Sequence, residues 1–314
     1  MNVIENLTPL AVGLMPSHDR NGRAQSVVVV KGTFDRQGRV AERERVPVLT
    51  ADVYFDEPEY PRHCIRFEAD WASVKPLTDL IVNGFAYPPG QRPASQFEVS
   101  LQVGGNRPVH ARVFGPRYWR KVLGWSLSNA APVERVALAC LAPGHELAAH
   151  PQKTMASPVQ WSGDISRAPD EAVTPAGFGT YDRAWSPRLG YAGSYPGKGK
   201  DCAPGLESRM PPNFDERYWN CAHPKLQFER SSVEPGARIR LQNMSADGQF
   251  DVTLPGIAPV ISMTNGAHVE TIRPGFDTVI VEPEADRLIL VWRHVIAGTP
   301  IALANPVTVH LDHV

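Results

Sequence analysis

Cysteine is scarce in this chain of 314 residues: Cys64, Cys140, Cys202 and Cys221 stand far apart, without repeated spacing. A disulfide framework needs dense, patterned cysteines, so the spacing predicts free thiols and a reducing compartment, the cytoplasm. Apolar runs are short as well. "SVVVVKG" at 26–32 meets Lys31, well before the roughly 20 apolar residues that cross a bilayer. The opening "MNVIENLTPL" carries Glu5 and lacks an apolar stretch of signal-peptide length. Charge of one sign is missing: the formal net charge is −1, and the basic "RERV" at 43–46 is interrupted by Glu44. Neither nucleic acid nor a membrane is therefore expected as a partner, nor an acidic polymer.

Uninterrupted helical stretches are rare too, because 30 prolines and 25 glycines punctuate the chain. What remains is β. "SVVVVKGTF" (26–34) is β-branched with an aromatic end, and "DRQG" (35–38) reads as a turn leading into "RVAERERV". "CIRFEADW" (64–71) and "QFEVSLQVGG" (96–105) alternate apolar and polar side chains, as half-buried strands do. "DLIVNGFAY" (79–87) is a buried-type strand, and "VHARVFG" (109–115) completes a hairpin with 96–105. Near the end, "ARIRLQNM", "GQFDVTLPG", "DTVIVEPEADRLILVWRHV" and "VTVHLDHV" repeat the style, the third being a hairpin across "EPEAD". "VERVALACL" (133–141) fits either a helix or a strand.

The expected fold is mainly β, with antiparallel, sandwich-like sheets. An N-terminal β region (1–128) and a C-terminal one (225–314) flank an ordered coil (129–224) rich in Pro, Gly and aromatics, or all three form one intertwined domain.

Chemical motifs are few. In "HELAAH" (145–150) the histidines stand five apart. A straight helix would point them about 140° apart, so one metal could not reach both. Cys202, Cys221 and His223 include no compact Cys-x-x-Cys pair. Cys221 and His223 do not make a nucleophile pair either. "GSYPGKGKD" (193–201) fails the phosphate-loop register and lacks its Ser/Thr, and "GSYPG" has the wrong order for a hydrolase elbow. Asp215 and Glu216 are adjacent, so an extended chain sends them to opposite faces. No metal, no cofactor and no catalytic residue is expected.

Two stretches are distinctive: "PAGFGTYDRAWSPRLGYAGSYPG" (175–197) and "MPPNFDERYWNCAHPKL" (210–226). Both mix rings, Arg and Asp with Gly and Pro. An ordered coil must satisfy its backbone polar groups without ladder partners. Asp182 and Asp215 suit backbone N–H groups, while Arg183, Arg188 and Arg217 suit carbonyls and the faces of Trp185, Tyr191 or Trp219. The same residue types are enriched at protein interfaces, so strapping and partner recognition both fit. Arg188 is expected to be a strap, with Tyr191 and Tyr195 meeting a partner.

A set of segments spread along the chain carries a family likeness: "NLTPLAVG", "VVVVKGTF", "ADVYFDEPE", "DWASVKPLTDLIVNGFAYPPG", "VSLQVGG", "VFGPRYW", the two coil stretches and "FDTVIVEPEADRLILVWR". Together they resemble the bacterial domain-of-unknown-function family 2169, found in type VI secretion gene clusters. The resemblance implies a non-enzymatic adaptor or chaperone that loads a toxic effector or spike-tip protein onto the secretion spike. The family's recurrent pattern falls on Gly177, Phe178, Gly179, Trp185, Pro187, Arg188, Tyr191 and Gly193, and on Phe214, Asp215 and Arg217. The sequence departs from it at "APVERVALACLAPGHELAAHPQ", at Pro116 and at "HPKLQ", which bears on the cargo more than the fold. The alternatives are a hydrolase or a sugar-binding β module acting on cell-wall or carbohydrate material.

Overall fold

The computed structural model describes residues 4–60, 63–121, 123–140, 154–162, 175–195, 210–265, 268–298 and 306–313. His145, His150, Lys198, Lys200 and Cys202 lie outside the described residues. Strand accounts for 45% and helix for 8%, so the fold is mainly β, as the sequence implies.

Two sheets dominate. The six-stranded sheet runs in the order Gln227–Phe228, Thr78–Val82, Phe276–Glu282, Arg287–Ala297, Ala24–Asp35, Ala11–His18. The five-stranded sheet runs Val159–Trp161, Val109–Phe114, Gln96–Val103, Arg238–Gln242, Gln249–Thr253. A four-stranded sheet combines Ile4–Asn6, Val307–His313, Ile257–Asn265 and His268–Ile272. Each draws strands from both ends of the chain. Pairing is antiparallel except where Thr78–Val82 meets Phe276–Glu282 and where Ile4–Asn6 meets Val307–His313, both parallel.

Alternation in the sequence explains the five-stranded sheet. Phe97, Val99, Leu101 and Val103 point inward beside Ile239 and Leu241, whereas Gln96, Glu98, Arg112 and Arg240 face solvent. In the six-stranded sheet, Val28 and Val30 join Leu80, Val82, Leu288 and Leu290 in the same continuous apolar core as that inner face. The opposite face is covered as well, so its central strands read as unbroken apolar runs. Val27, Val29 and Val291 there form a second cluster with Met15. The "EPEAD" turn closes the hairpin through a single 3-10 turn at Pro283–Ala285 and a left-handed Asp286.

Of the two forms open to "VERVALACL", its described residues take the strand: Val136–Ala137 pairs with Phe85–Ala86, and Val133 bridges Ala94. Two other sequence expectations change. "RVAERERV" contributes a single bridge, Val40 to Phe34. "CIRFEADW" is a strand only at Ile65–Phe67, because Glu68 and Asp70 leave the ladder for buried cations.

Candidate functional site

The covered face of the six-stranded sheet is unexpectedly ionic. Register places Lys31, Val291, Thr278 and Asp79 side by side across four strands. Lys31 pairs with Asp70 at 2.8 Å, and Lys75 with Asp79 at 2.9 Å. Arg293 pairs with Asp277, and all six of these side chains are buried. Lys75 also donates to Thr278 Oγ1 at 2.8 Å and lies 3.2 Å from Cys221 Sγ. Burial works most strongly against the Lys75 charge, but Asp79, Cys221 and Asp277 together hold the pKa above the usual lysine value. Burial likewise keeps Cys221 a thiol.

Asp79 is the anchor of the second coil stretch. Beside Lys75 it accepts from the backbone N–H of Cys221 (2.8 Å) and Ala222 (3.1 Å) and from Asn220 Nδ2 (3.1 Å). A buried carboxylate that accepts from this many donors fixes the backbone that carries them. The chain at 220–222 is thereby held against the sheet edge.

Glu68 and Asp52 anchor the first stretch. Arg188 donates from all three guanidinium nitrogens: Nε to the Tyr218 carbonyl (2.8 Å), Nη1 to the Tyr181 carbonyl (2.6 Å) and Nη2 to Glu68 (2.7 Å). It is 3% exposed. Arg183 shares Glu68 and grips Asp52 with both terminal nitrogens, at 2.7 and 2.9 Å. Burial raises the Asp52 pKa, but the Arg183 guanidinium, the Ala69 N–H and the Arg188 charge together more than reverse this and leave it low.

The other sequence-predicted residues divide by depth. Phe178 is fully buried 4.9 Å from the Trp161 ring, and its N–H bonds the Leu138 carbonyl at 2.7 Å. Gly177 is held against the neighbouring chain, where a Cβ would stand 2.3 Å from the Ala139 carbonyl oxygen. Gly179 has more room, since a Cβ there would stand 3.2 Å from the Ala139 Cα. Gly193 takes φ +70° beside Asn213 and Phe214, which joins the two stretches along with the 2.9 Å bond from Asp215 N–H to the Tyr191 carbonyl. Phe214 is buried against Tyr218 and Trp219. Trp185 meets Tyr181 edge-on, and Pro187 follows a cis peptide bond. Asp215 caps Arg217 N–H and pairs with its side chain, which lowers the carboxyl pKa.

At the surface, Arg217 covers the half-buried Tyr191 ring at 4.4 Å, Tyr195 is 37% exposed and Leu189 is 55% exposed. The structure thus brings the predicted coil residues into one layer but not to one depth. Arg183 makes ion pairs where ring stacking was expected.

Sequence reasoning missed Lys31, Asp70, Lys75, Asp79, Asp277 and Arg293. The signal was present: "VVVVKGTF", "TDLIV", "FDTVIV" and "LVWRHV" each set one charge inside an apolar strand, which demands a buried partner.

His110 Nδ1 lies 2.6 Å from Glu98, and Ser162 donates its backbone N–H to the His110 carbonyl. Among the described residues no hydrogen bond joins the Ser162 hydroxyl to that ring. No group of three or more metal-ligating side chains is placed to hold an ion, and no helix is long and apolar enough to cross a membrane, among the described residues.

The architecture is that of a mainly β protein in which an ordered coil is fastened by buried ion pairs to a two-sided sheet. Over residues 21–140 and 143–293 the chain matches the family described as "Uncharacterized protein conserved in bacteria (DUF2169)", and it belongs to that family. No curated protein and no solved structure matches it.

Proposed function

We propose that the chain is a non-enzymatic adaptor or chaperone that binds a secreted effector or a spike-tip protein for loading in type VI secretion. The observation that supports this is the division of labour in the coil layer. Its inner charged groups are committed to each other and to the backbone, so they serve rigidity. Its outer surface presents Tyr195 and Arg217 over Tyr191, residue types that serve as interface anchors when held on a rigid support, and it also exposes the apolar Leu189.

Affinity capture from the native bacterium, read by mass spectrometry, tests the reading. Wild-type protein should retain an effector or spike-tip protein, and Leu189→Asp with Tyr195→Ala should release it when capture is measured per folded molecule. Capture that is unaffected by these changes, or turnover of cell-wall glycan by the purified protein, would refute it.

A further inference from the structure

We propose that the solvent face of the five-stranded sheet is a docking surface for an acidic segment of a partner protein. This face is separate from the coil layer. Its exposed strand positions carry no aliphatic side chain and no Phe, Tyr or Trp. Across the central strands, Arg112 stands opposite Glu98, and Arg240 lies between Gln102 and Asp251. At one end, Arg107 and Lys225 line an open groove of about 640 Å³ with Glu98, His110 and Ser162.

Five cationic side chains (Arg107, Arg112, Lys225, Arg238 and Arg240) meet two carboxylates, Glu98 and Asp251. The local charge is +3 on a chain whose formal total is −1. The chain-wide balance conceals this asymmetry. Both carboxylates already have partners: Asp251 binds Arg238 at 2.7 Å, and Glu98 lies 2.6 Å from His110. Arg107, Arg112, Lys225 and Arg240 make no ion pair among the described residues. Four cations on a rigid, flat surface attract and orient an anionic partner.

The chemistry favours a polypeptide. Bound single-stranded nucleic acid needs a series of rings on which bases stack, and this face offers only the His110 imidazole, which is already engaged by Glu98. Glu98 and Asp251, set inside the face, would oppose a continuous run of phosphates. A membrane surface would need apolar side chains to insert. A protein segment with spaced Asp and Glu can meet the cations, while its backbone bonds the amides of Gln102 and Gln242.

Labelled poly-L-glutamate is the probe, titrated into the full chain from about 50 mM to about 300 mM NaCl, across which surface charge is progressively screened. Wild-type protein should bind, more weakly as salt rises. Arg112→Gln with Arg240→Gln should lose roughly tenfold in affinity, as removal of two exposed cations implies, at an unchanged melting temperature, since a neutral amide sets no like charge against Glu98 or Asp251. Absence of binding at the lowest salt, or equal binding by the double variant, would overturn the proposal. So would tighter binding of a thymidine oligonucleotide or of phosphatidylserine vesicles. None of these outcomes touches the coil-layer experiment, which concerns Leu189 and Tyr195.

Discussion

Arg188→Ala tests whether the coil layer is strapped from within. The substitution removes three charge-assisted bonds at 2.6–2.8 Å. Glu68 keeps Arg183, so no carboxylate is stranded. The Tyr181 and Tyr218 carbonyls, however, lose the bonds Arg188 gave them. Hydrogen bonds to charged groups contribute about 1.5–3 kcal/mol each, but water entering the vacated volume recovers part of that. With three such bonds lost and part of them recovered by water, we expect a net cost of about 3–5 kcal/mol. At roughly 2 °C per kcal/mol for a chain of this size, the melting temperature should fall by about 6–10 °C. Arg188→Lys should recover only part of the loss, because one ammonium cannot reach three divergent acceptors. Thermal unfolding followed by circular dichroism reads the stability, and partner capture per folded molecule reads the surface. A shift smaller than about 2 °C together with weakened capture would refute the strap and make Arg188 a contact.

His223 sets an acid limit. Burial, with help from Lys225, lowers its pKa from 6.5 to about 4, so on acidification the unfolded chain takes up the proton first and stability is lost between those values. Urea unfolding should show about 2 kcal/mol less stability at pH 5 than at pH 7.5, and His223→Gln should flatten that slope. Gly177→Ala forces a Cβ against the Ala139 carbonyl and should cost about 1–3 kcal/mol, measured by the same unfolding assay. Cys64, Cys140 and Cys221 are buried thiols, with Cys64 pushed up to about 12 by burial; maleimide should label them on unfolding and not in the native protein.

Much of the fold was legible because it rests on local periodicity. The alternation at 96–103, the valine run at 26–34 and the "EPEAD" hairpin each appear as strands where the pattern places them. Parallel pairing of Thr78–Val82 with Phe276–Glu282 was not legible, since nothing local says which distant strand a buried-type run will join. The coil layer was visible as composition, but its fastening was not: Arg188 reaches Glu68 across 120 positions, and Cys221 reaches Asp79 across 142. An isolated Lys31 or Asp79 in an apolar run announces that a counter-charge exists. Its identity depends on which segment covers that face.

The interleaving of the two ends has a consequence for synthesis. Arg287–Ala297 lies between Ala24–Asp35 and Phe276–Glu282 in the six-stranded sheet. Until the ribosome has released that segment, Ala24–Asp35 and Thr78–Val82 have no neighbour on the sides these late strands will fill, and their apolar edges stay open. The protein must therefore cross a long interval in which its most aggregation-prone strands are already made and their partners are not. Its folding is a late, closing event dominated by distant pairings, slow by nature. For such a chain the helper that matters most is one that acts while the nascent polypeptide is still emerging.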